Sequence, residues 1–474
     1  MPMIRPTRLY PVPTLAALML AMLPFGEVWG QSTYAPYSRF GLGHLQSGAG
    51  VAQLGMGQVG AAWADRSHLN TVNPAAAAFL TRTTFSGGFH IRSERIMEGD
   101  SITKGELGGL TQVAFALKRA GGKSAFTFGL QPRSQSGYDV SQTLTDDVAD
   151  EYRIQYSGSG GLTQAHMGYA RRWEGTTWRR FTDEQGMVTD SVRIIMSGTA
   201  IGARFEQVFG SMVRARTIDI ANPIFVDTRV QTDEVHRNAG FSLGLIREQL
   251  VAASFDKDRK LVSSSLIRTG AVARLGRAHS TNRSTRWASW QTLSTGPLEV
   301  DSVHATEETF TFQLPLELMI GLEWEQNARS GARWRIGAEW RRARWSTVAD
   351  DVLDPGVSWA DDQGFSLGMT LTPKGLDDAR NAWQRSTYSI GYRSQSGYLL
   401  LDRGTITSET WSAGWSLPML GSRSGSSLNA AVMWSSNSAG EPDGGLSEEG
   451  LGFLMGFTLH PFFKNQWLVP RRYD

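Results

Sequence analysis

Apolar and polar residues alternate with a period of two along much of this 474-residue chain. The longest run covers residues 309–325, where Phe310, Phe312, Leu314, Leu316, Leu318, Ile320, Leu322 and Trp324 hold every even position. Between them stand Thr311, Gln313, Pro315, Glu317, Met319, Gly321 and Glu323. Successive side chains of a strand point to opposite faces, so the run predicts one apolar face along its whole length and one largely polar face. A second run follows, in which Ala332, Trp334, Ile336, Ala338 and Trp340 alternate with Arg333, Arg335, Gly337, Glu339 and Arg341. Residues 327–331 read as the turn between the two. An antiparallel register with partner numbers summing to 658 sets Glu325 opposite Arg333, Glu323 opposite Arg335, Glu317 opposite Arg341 and Trp324 opposite Trp334.

Strands of soluble sandwiches average about five or six residues. Crossing a bilayer as a tilted strand takes about 9–11, with aromatic residues at both interfaces. The long alternation and its tryptophans therefore predict an all-β fold, a transmembrane antiparallel β-barrel. Further runs at 85–91, 113–117, 126–130, 165–169, 365–371, 388–392, 411–417 and 451–459, with weaker ones at 199–210, 241–253, 263–275 and 427–434, bring the expected count to about fourteen strands. The polar stretches 92–109, 139–155, 173–192, 211–238, 276–308, 346–362 and 435–449 read as long loops outside the cell, joined by short periplasmic turns.

Residues 1–30 read as a signal peptide: Arg5 and Arg8 precede an apolar stretch, and Val28 and Gly30 fit a cleavage site. Residues 31–80 do not alternate and are rich in Gly and Ala. A segment that long exceeds an ordinary connector, and packing inside the barrel as a hatch is its simplest use. The barrel is expected over 81–462, with a periplasmic tail over 463–474.

Composition narrows the function. The balance of 47 basic and 45 acidic residues offers no field to hold nucleic acid. With no cysteine, disulfides and thiolate chemistry are excluded. Forty of the basic residues are Arg; anionic headgroups such as lipopolysaccharide would use them, and so would a GC-rich genome with no function attached. The eight His never fall within four residues of one another, so no metal-binding spacing arises. His166 is expected as a solvated lumen residue. The GxGxxG pattern at 55–60 lacks the βαβ context of a dinucleotide site and reads as tight packing. No nucleophile signature marks an enzyme. No catalytic residue, metal or cofactor is expected.

The motifs Tyr37-Ser38-Arg39-Phe40-Gly41-Leu42-Gly43, Gly55-Met56-Gly57 and Asn73-Pro74-Ala75 resemble the start of FadL-type outer-membrane proteins, most of all their Bacteroidota-type members. Gly129–Pro132, Ser136–Tyr138, Gly158–Gln164 and the ending Arg471-Arg472-Tyr473-Asp474 resemble the same group. His44 and Gln58 depart from it, standing where an acidic residue and a further glycine are usual. The resemblance implies a fourteen-stranded barrel with an N-terminal hatch in the outer membrane of a Gram-negative bacterium, passing hydrophobic molecules such as fatty acids or hydrocarbons. It implies contacts of Tyr37 and Arg39 with the lumen wall and a hinge or anchor at Asn73 and Pro74. A strand kink at Pro132–Gly137 is one reading of that segment, and an ordinary strand end is the other. Expected partners are outer-membrane lipid, lipopolysaccharide and a hydrophobic small molecule. The alternative function is a non-transport subunit of a protein-export or barrel-assembly complex, for which the Arg- and Trp-containing stretch 276–308 would supply an interface.

Overall fold

The computed structural model describes residues 35–460 except 100, 119–120, 147–149, 183–186, 222–224, 257, 294–295, 350–352, 354–355, 376–378, 402–403, 420–425 and 441–445. The expected signal peptide and C-terminal tail lie outside the described residues. The strands are β1 (His44–Leu45), β2 (Thr84–Glu98), β3 (Ser101–Lys118), β4 (Ser124–Asp146), β5 (Asp150–Thr182), β6 (Val188–Ile220), β7 (Asp227–Phe255), β8 (Leu261–Arg274) and β9 (Arg277–Leu293). They continue as β10 (Gly296–Leu314), β11 (Glu317–Asn327), β12 (Arg333–Ala343), β13 (Ser358–Trp359), β14 (Asp362–Thr372), β15 (Thr387–Leu401), β16 (Gly404–Pro418), β17 (Ser427–Ala439) and β18 (Ser447–Leu459).

All pairings are antiparallel, and β18 returns to pair with β2, closing the sheet into a barrel. β7 pairs with β8 along one half and β9 along the other, so β8 and β9 are two halves of one position in the wall. β10 and β11 divide their position likewise, one against β9 and the other against β8. With the two-residue strands β1 and β13 set aside, the wall has fourteen positions.

The alternation acts as expected in β11 and β12. Leu318, Ile320, Leu322, Trp324, Ile336 and Trp340 are exposed on the outside, while Glu317, Glu323, Glu325, Arg335 and Arg341 are buried within. The register sums to 660 rather than 658: Glu325 pairs with Arg335, and Trp324 with Ile336. The turn lies at 328–332, where Ala328 N–H donates to Ala332 O at 2.8 Å and Gly331 takes φ +83°. A glycine at this left-handed position sets the loop and so the register. A slip of two residues keeps every side chain on its face, which is why the faces were legible and the partners were not.

The longest alternation is broken where it looked continuous. Strand β10 ends at Leu314 and β11 begins at Glu317, and the even positions change sides between them. Phe310, Phe312 and Leu314 join an interior apolar cluster, whereas Leu316 and Leu318 face outward. Pro315 has no N–H to donate to a ladder, so the break falls there.

Most of the polar stretches expected as loops are strand. The described residues of 92–109, 139–155, 211–238, 276–308 and 435–449 are mostly the ends of paired strands running past the apolar belt. The stretch 173–192 is a correction of side as well as structure. Because β5 enters from the hairpin it shares with β4, its far end and the start of β6 lie at the end of the barrel bearing the short 328–332 turn.

Residues 35–80 contain four-residue and six-residue helical turns, Val51–Leu54 and Pro74–Phe79, and are largely buried. They pack on a girdle of wall glycines, one per strand at similar height: Gly202, Gly244, Gly270, Gly321, Gly337, Gly368 and Gly391. A Cβ on Gly270 would stand 2.0 Å from Ala61 O, and one on Gly391 1.9 Å from Gly57 N. The bare backbone at this height makes room for the segment.

Candidate functional site

Inside the barrel, charged side chains from many strands interlock. Arg268 on β8 reaches Glu248 on β7 at 2.8 Å, Glu325 on β11 at 2.7 Å, and Glu323. Arg335 on β12 bridges Glu325 at 3.1 Å and Asp65 of the N-terminal segment at 2.7 Å. Glu206 on β6 holds Arg204 at 2.8 Å and Arg277 at 2.9 Å. Glu317 holds Arg274 at 3.0 Å and Arg133 at 3.1 Å, while Arg341 reaches Asp362 at 2.6 Å. These groups are nearly all buried. The charges neutralise one another in a packed ionic lattice that Asp65 ties to the N-terminal segment. His166, expected to be solvated, is buried too, because its ring packs beside Gly129 of the neighbouring strand.

The residues singled out in the N-terminal segment all meet the wall. Tyr37 N–H donates to Glu448 Oε1 at 2.7 Å, and its hydroxyl donates to Leu446 O and accepts from Ala439 N–H at 3.1 Å. The Arg39 guanidinium lies 3.9 Å from the centre of the Tyr156 ring. Asn73 caps the helical turn that Pro74 opens, its Oδ1 accepting from Ala75 N–H at 2.9 Å. Its Nδ2 donates to Ala61 O at 2.6 Å and to Leu245 O and Ala271 O on β7 and β8.

Sequence reasoning missed Asp65 and Asn70. Asn70 Nδ2 donates to Gly60 O at 2.7 Å and Trp63 O at 2.8 Å, and its Oδ1 accepts from Val72 N–H at 2.8 Å, so one amide folds the segment onto itself. Burial, three charge partners (Arg335, His68 and Arg333) and a hydrogen bond with His68 act on Asp65. Burial raises its pKa, but Arg335 and His68 outweigh that and hold the carboxyl well below its ordinary range. The one signal available was the asparagines and aspartate of a Gly/Ala-rich stretch, which alone names no partner. The GxGxxG stretch follows a helical turn rather than opening one, and Gly57 at φ +66° lies against Leu367 O, consistent with tight packing.

The wall departs from regular pairing at β4. The β3–β4 ladder runs only from Lys118↔Ala125 to Val113↔Leu130. Beyond Leu130, β4 continues on β5 with a bulge between Pro132 and Ser134, and β3 continues on β2. The edge of β4 released in this way is covered by the N-terminal segment. β1 pairs with Ser134 and Gln135, Gln46 N–H donates to Arg133 O at 2.9 Å, and Ala35 N–H to Gly137 O at 2.8 Å. Gly137 N–H in turn donates to Ser38 Oγ at 3.0 Å. Proline, lacking a donor, stands where the ladder parts.

A cleft opens at this parting, lined by Leu107 and Leu110 of β3, Pro132 and Gln135 of β4, and Ala49 and Leu54 of the N-terminal segment. A second cavity, lined by Tyr37, His44, Arg393, Tyr398 and Leu399, shares Gln46, Ser47, Gln58, Arg92, Met433 and Ser435 with the first. Next to it lies an apolar cluster that includes Leu42, Phe312, Trp345, Trp359, Tyr398 and Leu399, with Trp345 and Trp359 stacked at 5.2 Å. Tyr398 and Leu399 belong to both this cluster and the second cavity, so the cleft at the β3–β4 parting adjoins an aromatic interior region.

A family model described as BamG matches residues 13–175 and 190–474. Among solved structures, the chain resembles the Pseudomonas putida toluene transporter TodX at 12% identity, covering 88% of this chain and 99% of that one, with a TM-score of 0.52. It also resembles the CymD monoaromatic hydrocarbon channel at 11% identity, covering 87% and 97%, with a TM-score of 0.51. These likenesses show a shared fold. No curated protein matches.

Proposed function

Because this chain belongs to the BamG family, and its barrel has the fold of hydrocarbon channels, we propose that it carries hydrophobic small molecules across the outer membrane of a Gram-negative bacterium. The observation that carries this reading is the cleft at the β3–β4 parting, contiguous with the inner cavity beside the aromatic cluster. A lipophilic molecule would enter from the extracellular end, rest against the aromatic rings, and leave sideways past Leu107, Leu110 and Pro132. It need never cross the ionic lattice, which an apolar solute could not desolvate. In this reading residues 31–80 are a hatch: Asn73 and Pro74 anchor it, Tyr37 and Arg39 hold its upper part, and Pro132–Gly137 is the kink that opens the wall. The mechanism is passive binding and diffusion and needs neither catalyst nor cofactor.

Uptake of radiolabelled toluene or oleate by proteoliposomes tests the proposal. The substitution Leu107→Glu, which sets a carboxylate in the cleft, should lower uptake at least tenfold while the barrel still folds. Equal uptake by liposomes without protein would overturn it.

A second reading, a non-transport subunit of an outer-membrane assembly or export complex, is favoured by the lattice itself. An interior cemented by buried ion pairs suits a rigid scaffold. Stoichiometric recovery with a larger complex in mild detergent, combined with no uptake of any hydrophobic solute, would select it.

A further inference from the structure

We propose that the β5–β6 hairpin at the short-turn end of the barrel docks an extended, acidic segment of a soluble periplasmic protein. The family model leaves residues 176–189 unmatched, on the side of the hairpin that Trp178 and Arg180 belong to. β4 leaves β5 at Ser124↔Arg171, with Arg172 N–H donating to Lys123 O at 2.8 Å. β7 leaves β6 at Ser197↔Gln249. From Trp173 to Arg180 the outer edge of β5 pairs with no strand among the described residues, although β5 itself remains paired to β6. Such an edge is a template for an added strand.

The two faces of the hairpin differ. On one, Phe181 packs edge-on against Phe255 at 5.5 Å, and Asp190 pairs with Arg259 at 2.6 Å, so the turn after β7 braces it. The opposite face carries Thr176, Trp178 and Arg180 from β5 with their cross-strand partners Ile195, Arg193 and Ser191. All six are exposed, Trp178 at 62%. This face carries two arginines and, among its described residues, no carboxylate beyond Glu174, which Lys123 and Arg172 already engage at 3.4 and 3.6 Å. An exposed tryptophan flanked by arginines is the composition of interface anchors. The face continues the side of β5 that bears buried Arg172, whereas Met167 and Tyr169 on the alternate side face lipid. It therefore looks away from the bilayer, which favours a protein over a membrane surface. A strand added along β5 would place alternate carboxylates toward Arg180 and Arg193 and an aliphatic side chain on Trp178.

The inference does not rest on transport. Its test uses the full-length barrel in detergent and two short peptides that alternate valine with either glutamate or glutamine. The acidic peptide should bind, with the glutamine peptide weaker by at least fivefold. The double substitution R180E/R193E should weaken the acidic peptide at least tenfold, and Trp178→Ser at least fivefold, both with unchanged heat-modifiable migration. Equal binding of the two peptides, or indifference to charge reversal, would overturn the proposal. So would charge-dependent binding confined to phosphatidylglycerol vesicles, which would assign the face to lipid.

Discussion

Arg268 concentrates the energetics of the interior in one side chain, because three carboxylates, Glu248, Glu323 and Glu325, converge on it in a buried site. Removing one partner of a buried ion pair costs about 3–5 kcal/mol, since it leaves charge unpaired in a poorly hydrated place. Arg268→Ala is therefore expected to lower the unfolding midpoint in urea markedly, and the further change Glu323→Gln to recover part of the loss. Gln58 makes a subtler point. It adopts φ +63°, a left-handed conformation costly for a non-glycine residue, while its Oε1 accepts from Arg393 Nη1 at 2.6 Å. Both Gln58→Ala and Gln58→Gly lose that bond, but only alanine keeps the backbone cost. The glycine variant should be more stable than the alanine variant by about 1 kcal/mol in thermal unfolding. The departure from the FadL-type pattern at this position thus has a compensating partner, which only the fold could reveal.

At the scale of the element, the glycine girdle decides where the N-terminal segment can lie. A valine at Gly391 would drive its side chain into Gly57, and the segment, which among the described residues joins the sheet only through β1, should yield before the ladders do. Gly391→Val is expected to raise single-channel conductance in planar bilayers and to expose residues 35–80 to protease; unchanged conductance and protection would contradict that role. The individual strands were legible because a half-buried strand advertises its faces through a period of two. Their ends were not. Polar stretches such as 211–220 and 227–238 looked like loops because beyond the lipid belt both faces tolerate polar residues, and ladder hydrogen bonds alone keep the strands going. The 310–314 run failed in the opposite way: its apolar residues were correctly read as one face, but the inversion at Pro315 turned that face toward the interior.

For the molecule as a whole, the seating of the N-terminal segment is expected to depend on pH. Burial, followed by the fields of Arg92 and Arg393, pushes the His44 pKa down to about 4. Released, the imidazole would titrate near 6.5. Between those values the released state binds the proton that the seated state refuses, so acidification from about pH 6.5 toward 4 favours release. Protease sensitivity of residues 35–80 should therefore rise across that window, and His44→Gln should flatten the rise. Asp65 acts in the same direction only at lower pH, because a carboxylate with a depressed pKa keeps its stabilising charge until the pH falls below the ordinary carboxylate range.

What the sequence alone determined is the membrane-type barrel, its inside and outside in strands such as β11 and β12, and a non-alternating segment at its start. These depend on short-range periodicity against two solvents, which each strand carries in its own residues. The tertiary structure decided the register at 328–332, the face of 310–314, the end at which 173–192 emerges, the parting of β3 from β4, and the lattice joining Arg335 to Asp65. The first two are set at a turn and a proline whose effect appears only in the folded wall; the others depend on which distant residues meet. Pairing partners and buried charges are selected by the closed wall acting together, through contacts between positions hundreds of residues apart that no local pattern records.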